Sequence, residues 1–247
     1  MKPLPYPSKA AEERLNAIIN RTIEFRKEDV DAVAAIIEDV KSNGDEALIR
    51  YTRKFDAPDM TADKMRVTEA EIAAAESAVD APFLKALDRA ADQIASFHQK
   101  QVRKSWIQTD RPGTLLGQMF NPVDAAGVYV PGGKGGSTPL VSSVLMGGIP
   151  AKIAGVERIC MVTPPTADGS VNPHLLMAAK KAGIDEIYKA GSAWAIAALA
   201  HGTETIPKVD VVVGPGNVFV TLAKKLVSGT VGIDMIAGPS EVLVIAD

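Results

Sequence analysis

Apolar residues follow a helical period along the first 110 positions and fall into short unbroken runs thereafter. Leu15, Ile18 and Ile19 mark a helix over residues 10–20. Val30, Val33, Ile36, Ile37 and Val40 repeat at i, i+3, i+4 and i+7 and predict a second over 29–40. Asn43-Gly44 stops it, because glycine tolerates positive φ, and a third runs over 45–55. Thr68 and Glu71 have capping-box spacing before an alanine-rich helix. Pro82 suits the first turn of the next, which extends to about residue 101.

The second half alternates strand-length runs with helical stretches. Strands are expected at 127–130, 158–162, 186–189, 209–213 and 242–246, and helices at 139–154, 174–182, 193–201 and 218–227. The runs are rich in β-branched residues and do not alternate, as in a parallel sheet covered on both faces. The spacing is that of βαβ units, so the fold class is α/β, parallel sheet flanked by helices. A buried strand at 242–246 calls for a covering helix, so the expectation is an N-terminal portion of something longer.

Three glycine-rich loops follow predicted strands: YVPGGKGGST from Tyr129, GPGN from Gly214 and GPSE from Gly238. Ligands of open α/β sheets bind at the carboxyl ends of strands, where glycine lets backbone N–H groups approach an anionic group. Asn217 and Ser137 are good helix N-caps. Neither G-x-G-x-x-G nor G-x-x-x-x-G-K-[ST] occurs.

Composition narrows the class. Apolar residues make up 47% and charged residues 23%, with a net charge of −3, ordinary values for a globular protein and a poor match to a nucleic-acid-coating surface. No run is long enough to span a membrane, and the N-terminus lacks the apolar core of a signal peptide. The lone Cys160 excludes an internal disulfide, which points to the cytoplasm, and its place in a predicted core strand reads as packing. His98, His174 and His201 are too scattered to read as a metal site.

The segments GVYVPGG, SSVLMGGIPAKIAGV, AIAALAHGTETIPKVD, VGPGN and IDMIAGPSEVLVIAD together resemble the histidinol dehydrogenases. The pattern V-x-x-I-I-x-x-V-x-x-x-G-D-x-A-L-x-x-Y-T-x-x-F-D from Val33 extends the resemblance to the N-terminal half. It implies oxidation of L-histidinol to L-histidine through an aldehyde, with NAD as cofactor, a zinc ion on the substrate and a Glu-His acid–base pair. It also implies a homodimer of Rossmann-like domains.

By that resemblance Tyr129 and Asn217 contact NAD and Ser240 contacts substrate. Trp194 stands where the family pattern has an NAD-contacting glutamine, so the indole keeps a donor and offers a ring to stack on the nucleotide. The zinc ligands and the Glu-His pair are expected beyond Asp247, so the chain by itself is expected to be inactive. The expected division is a helical arm (1–25), part of a first Rossmann-like domain (26–128, resuming at 241–247) and an NAD-binding second one (129–240). The rival readings are a paralogue acting on another alcohol, signalled by Trp194, and a non-catalytic nucleotide-binding or dimerisation module.

Overall fold

The computed structural model describes residues 3–20, 25–133, 138–184, 186–236 and 238. The expected strand at 242–246, Ser137 and Ser240 lie outside them. Four helices come first: α1 (Lys9–Ile19), α2 (Lys27–Phe55), α3 (Glu69–Ala78) and α4 (Ala81–Gln99). A short antiparallel hairpin follows, β1 (Trp106–Gln108) and β2 (Leu116–Gln118). The remainder alternates β3 (Ala125–Tyr129), α5 (Val141–Ala154), β4 (Arg158–Thr163), α6 (Pro173–Ala182), β5 (Glu186–Lys189), α7 (Ser192–His201), β6 (Val211–Val213), α8 (Val218–Val227) and β7 (Gly232–Ile233).

The two helices expected within α2 are one element broken at Gly44 (φ 49°, ψ −130°). The break has a distant cause. Glu204 Oε2 accepts from the Asp45 N–H at 2.7 Å and caps the second segment, while Asp45 accepts from the Thr205 N–H at 3.2 Å and from its hydroxyl. A Cβ at residue 44 would fall 2.3 Å from Glu204 Oε2. Across the break, Asp39 accepts from Arg50, Tyr51 and Asn43, and the Arg50 guanidinium above all holds its carboxyl down at about 2. The expected capping box at Thr68 and Glu71 is present, and Pro82 lies in the first turn of α4.

Strands β3–β7 form one parallel sheet in the order β5-β4-β3-β6-β7. Residues 65–67 pair antiparallel along β5 through Val67 N to Ile187 O (2.9 Å) and Lys189 N to Met65 O (2.8 Å), which covers that edge. Helices α5 and α6 cover one face, with α3 and α4 outside them. Helices α7 and α8 cover the other, with α2 outside them. Lying between sheet and α2, α7 buries every residue from 193 to 200, which is why it is apolar on all sides.

The architecture is therefore a doubly wound α/β sheet with helices on both faces. Its central strand starts at Ala125, so a Rossmann-like unit drawn on this sheet takes in β3 rather than starting at Tyr129. The helices of residues 27–99 pack onto the helices that flank this sheet. Among the described residues no helix is long and apolar enough to cross a membrane.

Candidate functional site

Chain order and strand order diverge between β3 and β6. After β3 the chain moves outward to β4 and β5, then returns through α7 to lay β6 on the other side of β3. This is the switch point, where the loops after two adjacent strands diverge and leave a crevice. The loop after β3 carries Pro131-Gly132-Gly133, and the loop after β6 is Gly214-Pro215-Gly216-Asn217. An apolar groove of about 610 Å³ runs beside α5 and β6, from Asn121, Pro122 and Ala154 at one end to Val213, Gly214 and Pro215 at the other.

Buried charge braces the loop after β6. The Gly214 N–H donates to Asp234 Oδ2 at 2.9 Å, and Lys224 Nζ donates to the Gly214 carbonyl at 2.9 Å. Lys224 lies buried in α8 and ion-pairs with Asp234, so each charge has its counterpart. Gly214 takes φ 121°, and a Cβ there would lie 2.2 Å from the Tyr129 carbonyl oxygen. Only glycine lets the loop close onto the end of β3. Asn217 caps α8 as expected, its Oδ1 accepting from Phe219 N and Val220 N at 3.1 Å. Its side-chain nitrogen has no partner among the described residues.

Tyr129, the last residue of β3, is 4% exposed. Its hydroxyl accepts from the Ser192 N–H at 3.2 Å. Burial, with a smaller contribution from the charge of Asp56, raises it to about 12, so it is a neutral phenol that keeps its own hydrogen to donate. Ser192, first residue of α7, holds φ 46°, an uncommon backbone for serine that sets its N–H against Tyr129.

Trp194 is 5% exposed, and its stacking partners are protein: Tyr51 at 5.7 Å and Phe55 at 5.4 Å, rings within 20° of parallel. Its Nε1 is buried without a hydrogen-bond partner, as is Asp56 Oδ2 just beyond Phe55. Burial alone lifts the Asp56 carboxyl to about 6. The sequence reading had no role for Asp56, Asp234, Lys224 or Glu204, although Asp56, Glu204 and Asp234 fall inside the segments that carry the family resemblance.

The remaining candidates are locally satisfied. Cys160 is 1% exposed in β4, and burial pushes its thiol up to about 12, which makes it a packed side chain. His174 Nδ1 lies 3.0 Å from Asn172 Oδ1 and its ring packs edge-on against Phe83. His98 Nδ1 lies 2.7 Å from Gln101 Oε1. Among the described residues no three His, Cys, Asp or Glu side chains gather as a metal site would require.

Comparison with known proteins supplies the context. The family model described as histidinol dehydrogenase matches residues 20–247. A histidinol dehydrogenase of Desulfotalea psychrophila is 63% identical over 216 residues, which cover 87% of this chain and 50% of that protein. One of a Synechococcus species is 52% identical over 238 residues, covering 96% of this chain and 54% of the relative. A crystal structure of histidinol dehydrogenase from Elizabethkingia anophelis superposes with a TM-score of 0.84 at 40% identity, covering 95% of this chain and 52% of that one. The chain thus spans about half the length of the curated relatives it matches.

Proposed function

Because the chain belongs to the histidinol dehydrogenase family, we propose that it forms the nucleotide-holding part of an NAD-dependent oxidoreductase of histidine biosynthesis. In this reading the whole enzyme oxidises L-histidinol to L-histidine through the aldehyde, as a cytoplasmic homodimer. The observation that carries the reading is the switch-point crevice, with Tyr129 on one side and the braced Gly214–Asn217 loop on the other.

The residues present suit a dinucleotide. The buried Tyr129 hydroxyl and Trp194 Nε1 have hydrogens to donate, Asp56 Oδ2 has an acceptor site to fill, and Asn217 is exposed at the loop. We assign Tyr129, Trp194 and Asn217 to cofactor binding and Ser240 to substrate. Bound there, the nicotinamide cofactor supplies the hydride acceptor of the oxidation. The chain's own part is orientation: the Asp234–Lys224 pair holds the Gly214 backbone at a fixed distance from β3, and the Ser192 N–H holds the Tyr129 ring.

The described residues do not fit a zinc ion, since no donor set converges. We place the zinc ligands and the Glu-His pair outside these 247 residues. The sheet β3–β7 corresponds to the second, NAD-binding Rossmann-like unit, with β3 included, and residues 26–128 to part of the first. Calorimetric titration of the chain with NAD⁺, paired with an assay of NADH formation from L-histidinol, tests the proposal. Saturable NAD⁺ binding without turnover is the expected result. Turnover by this chain alone, or no NAD⁺ binding, overturns it.

A further inference from the structure

A nucleotide-binding α/β sheet of this strand order takes the ribose hydroxyls of its cofactor on a carboxylate at the end of the second strand. Here the second strand in chain order is β4, and it ends Thr163-Pro164-Pro165 with no carboxylate. The first acidic residue after it is Asp168. Its Oδ1 is occupied by its own loop, accepting from the Thr166 hydroxyl at 2.5 Å, the Ser170 N–H at 3.0 Å and the Ser170 hydroxyl at 2.8 Å. Those bonds, the Thr166 hydroxyl first, hold its carboxyl down at about 2. Asp168 is a turn residue, and the usual place for the ribose acceptor stands without one.

Another carboxylate reaches the same end of the sheet from a different part of the chain. Asp56 follows the last turn of α2, immediately after the Phe55 ring that stacks on Trp194. Its Oδ2 is buried with no donor. It has no ion-pair partner among the described residues. Arg53 turns away to donate to the Met60 carbonyl at 2.6 Å, and Lys54 lies over the Phe55 ring. The group whose titration feels its charge is the Tyr129 hydroxyl at the switch point, which has a hydrogen and no acceptor for it among the described residues.

The Asp56 carboxylate and the Tyr129 hydroxyl are not bonded to each other, and each lacks one partner among the described residues. Nearby Trp194, 5% exposed, holds a second orphaned donor in its Nε1. A buried carboxylate left this way costs stability unless something donates to it. A sugar hydroxyl is both acceptor and donor, so a ribose can satisfy groups of both kinds, which a purely apolar ligand or an anion cannot.

We infer that Asp56 is a cofactor-binding residue: its carboxylate accepts the hydroxyl hydrogens of a ribose of the dinucleotide and selects an unphosphorylated ribose over a 2′-phosphorylated one. The inference rests on the NAD reading above and deepens it. Like charge gives the selection, because a 2′-phosphate would place its negative charge against a carboxylate that no cation among the described residues pairs with. Only the N-terminal helical region supplies this group, so α2 is part of the nucleotide site as well as a cover for α7.

The test is calorimetric titration of the chain, wild type, Asp56→Asn and Asp168→Asn, with NAD⁺ and with NADP⁺, and a thermal melt of each unliganded protein. Wild type is expected to bind NAD⁺ at least tenfold more tightly than NADP⁺. Asp56→Asn is expected to lose about tenfold in NAD⁺ affinity, as for a hydrogen bond to a charged group, and to bring the two affinities within about threefold, a change that merely loosening the fold would not produce. Its unliganded melting temperature should stay the same or rise. Asp168→Asn should leave the NAD⁺/NADP⁺ ratio unchanged.

If wild type binds NAD⁺ and Asp56→Asn matches it within twofold with the same ratio, Asp56 has no such role, while the NAD reading stands. A lower melting temperature for Asp56→Asn makes the carboxylate structural and also overturns the inference, as does a ratio that moves with Asp168 instead. If wild type binds neither nucleotide, the NAD reading fails, and this inference with it.

Discussion

At the scale of single residues, the site is a set of polar atoms placed where they lack a partner, and such atoms leave a signature in stability. In the folded chain Asp56 keeps its proton up to about pH 6, against an ordinary value of 3.8. Between those values the native state binds more protons than the unfolded one, so stability falls as pH rises from about 4 through about 6. A shift of roughly two units bounds the effect at about 3 kcal/mol. Urea midpoints of wild type and Asp56→Asn should coincide near pH 4 and separate by about 2–3 kcal/mol at pH 7, the variant being the more stable. Equal midpoints at both pH values would show that the carboxyl is not buried as described. Trp194 behaves in the opposite way. Its ring is part of the core beside Tyr51 and Phe55, so Trp194→Ala should cost about 3–5 kcal/mol in the same measurement. The loops beside Tyr129 and Asn217 were legible in the sequence because glycine and proline next to a strand end mark a sharp turn by local pattern, while the roles expected of the two residues came from the family resemblance. Asp56, Asp234 and Glu204 were not, because each acts on a segment far away in the chain: Glu204 caps a helix 159 residues earlier.

At the scale of elements, α2 shows how a local stop signal becomes a joint. Asn43-Gly44 was read as the end of one helix and the gap before another, and the chain does break there. What local pattern did not reveal is that the His201-Gly202-Thr203-Glu204-Thr205 segment clasps the break, and so fixes the direction in which residues 45–55 carry Tyr51, Phe55 and Asp56 over α7. Gly44→Ala combines a positive φ with a Cβ placed 2.3 Å from the capping carboxylate. It should lower stability by about 1–3 kcal/mol, and Glu204→Ala by about 1 kcal/mol through loss of the cap. Thermal melts of the two variants check this, and an unchanged melting temperature for Gly44→Ala would mean that the joint is not a constraint. The β1–β2 hairpin was invisible for a physical reason. All six of its residues are exposed, so neither strand has an inner and an outer face to write into the sequence. Strand β7, only two residues long, offers no period either.

At the scale of the whole molecule, the parallel sheet was readable because strands covered on both faces must be continuously apolar, and the helices between them must be long enough to cross back. The placement of the N-terminal helices was not readable. An amphipathic helix announces that it has a buried face without saying what lies against it, and here α2, α3 and α4 spend theirs on the helices that flank the sheet. The result is a sheet with two layers of helix on each face, and Cys160 lies buried in β4, beside the central strand. That placement has a practical use. The chain has one thiol, and burial keeps it protonated and out of reach in the native state. An alkylating reagent such as iodoacetamide can therefore attack only molecules whose sheet has opened, and its rate of incorporation reads the opening equilibrium without any engineered probe. Saturating NAD⁺ should slow that labelling in proportion to one plus its concentration over its dissociation constant. Labelling of the native protein at the rate of a free thiol would mean that the centre of the sheet is open to solvent. The lone cysteine is thus a built-in clock for how long the parallel sheet stays shut.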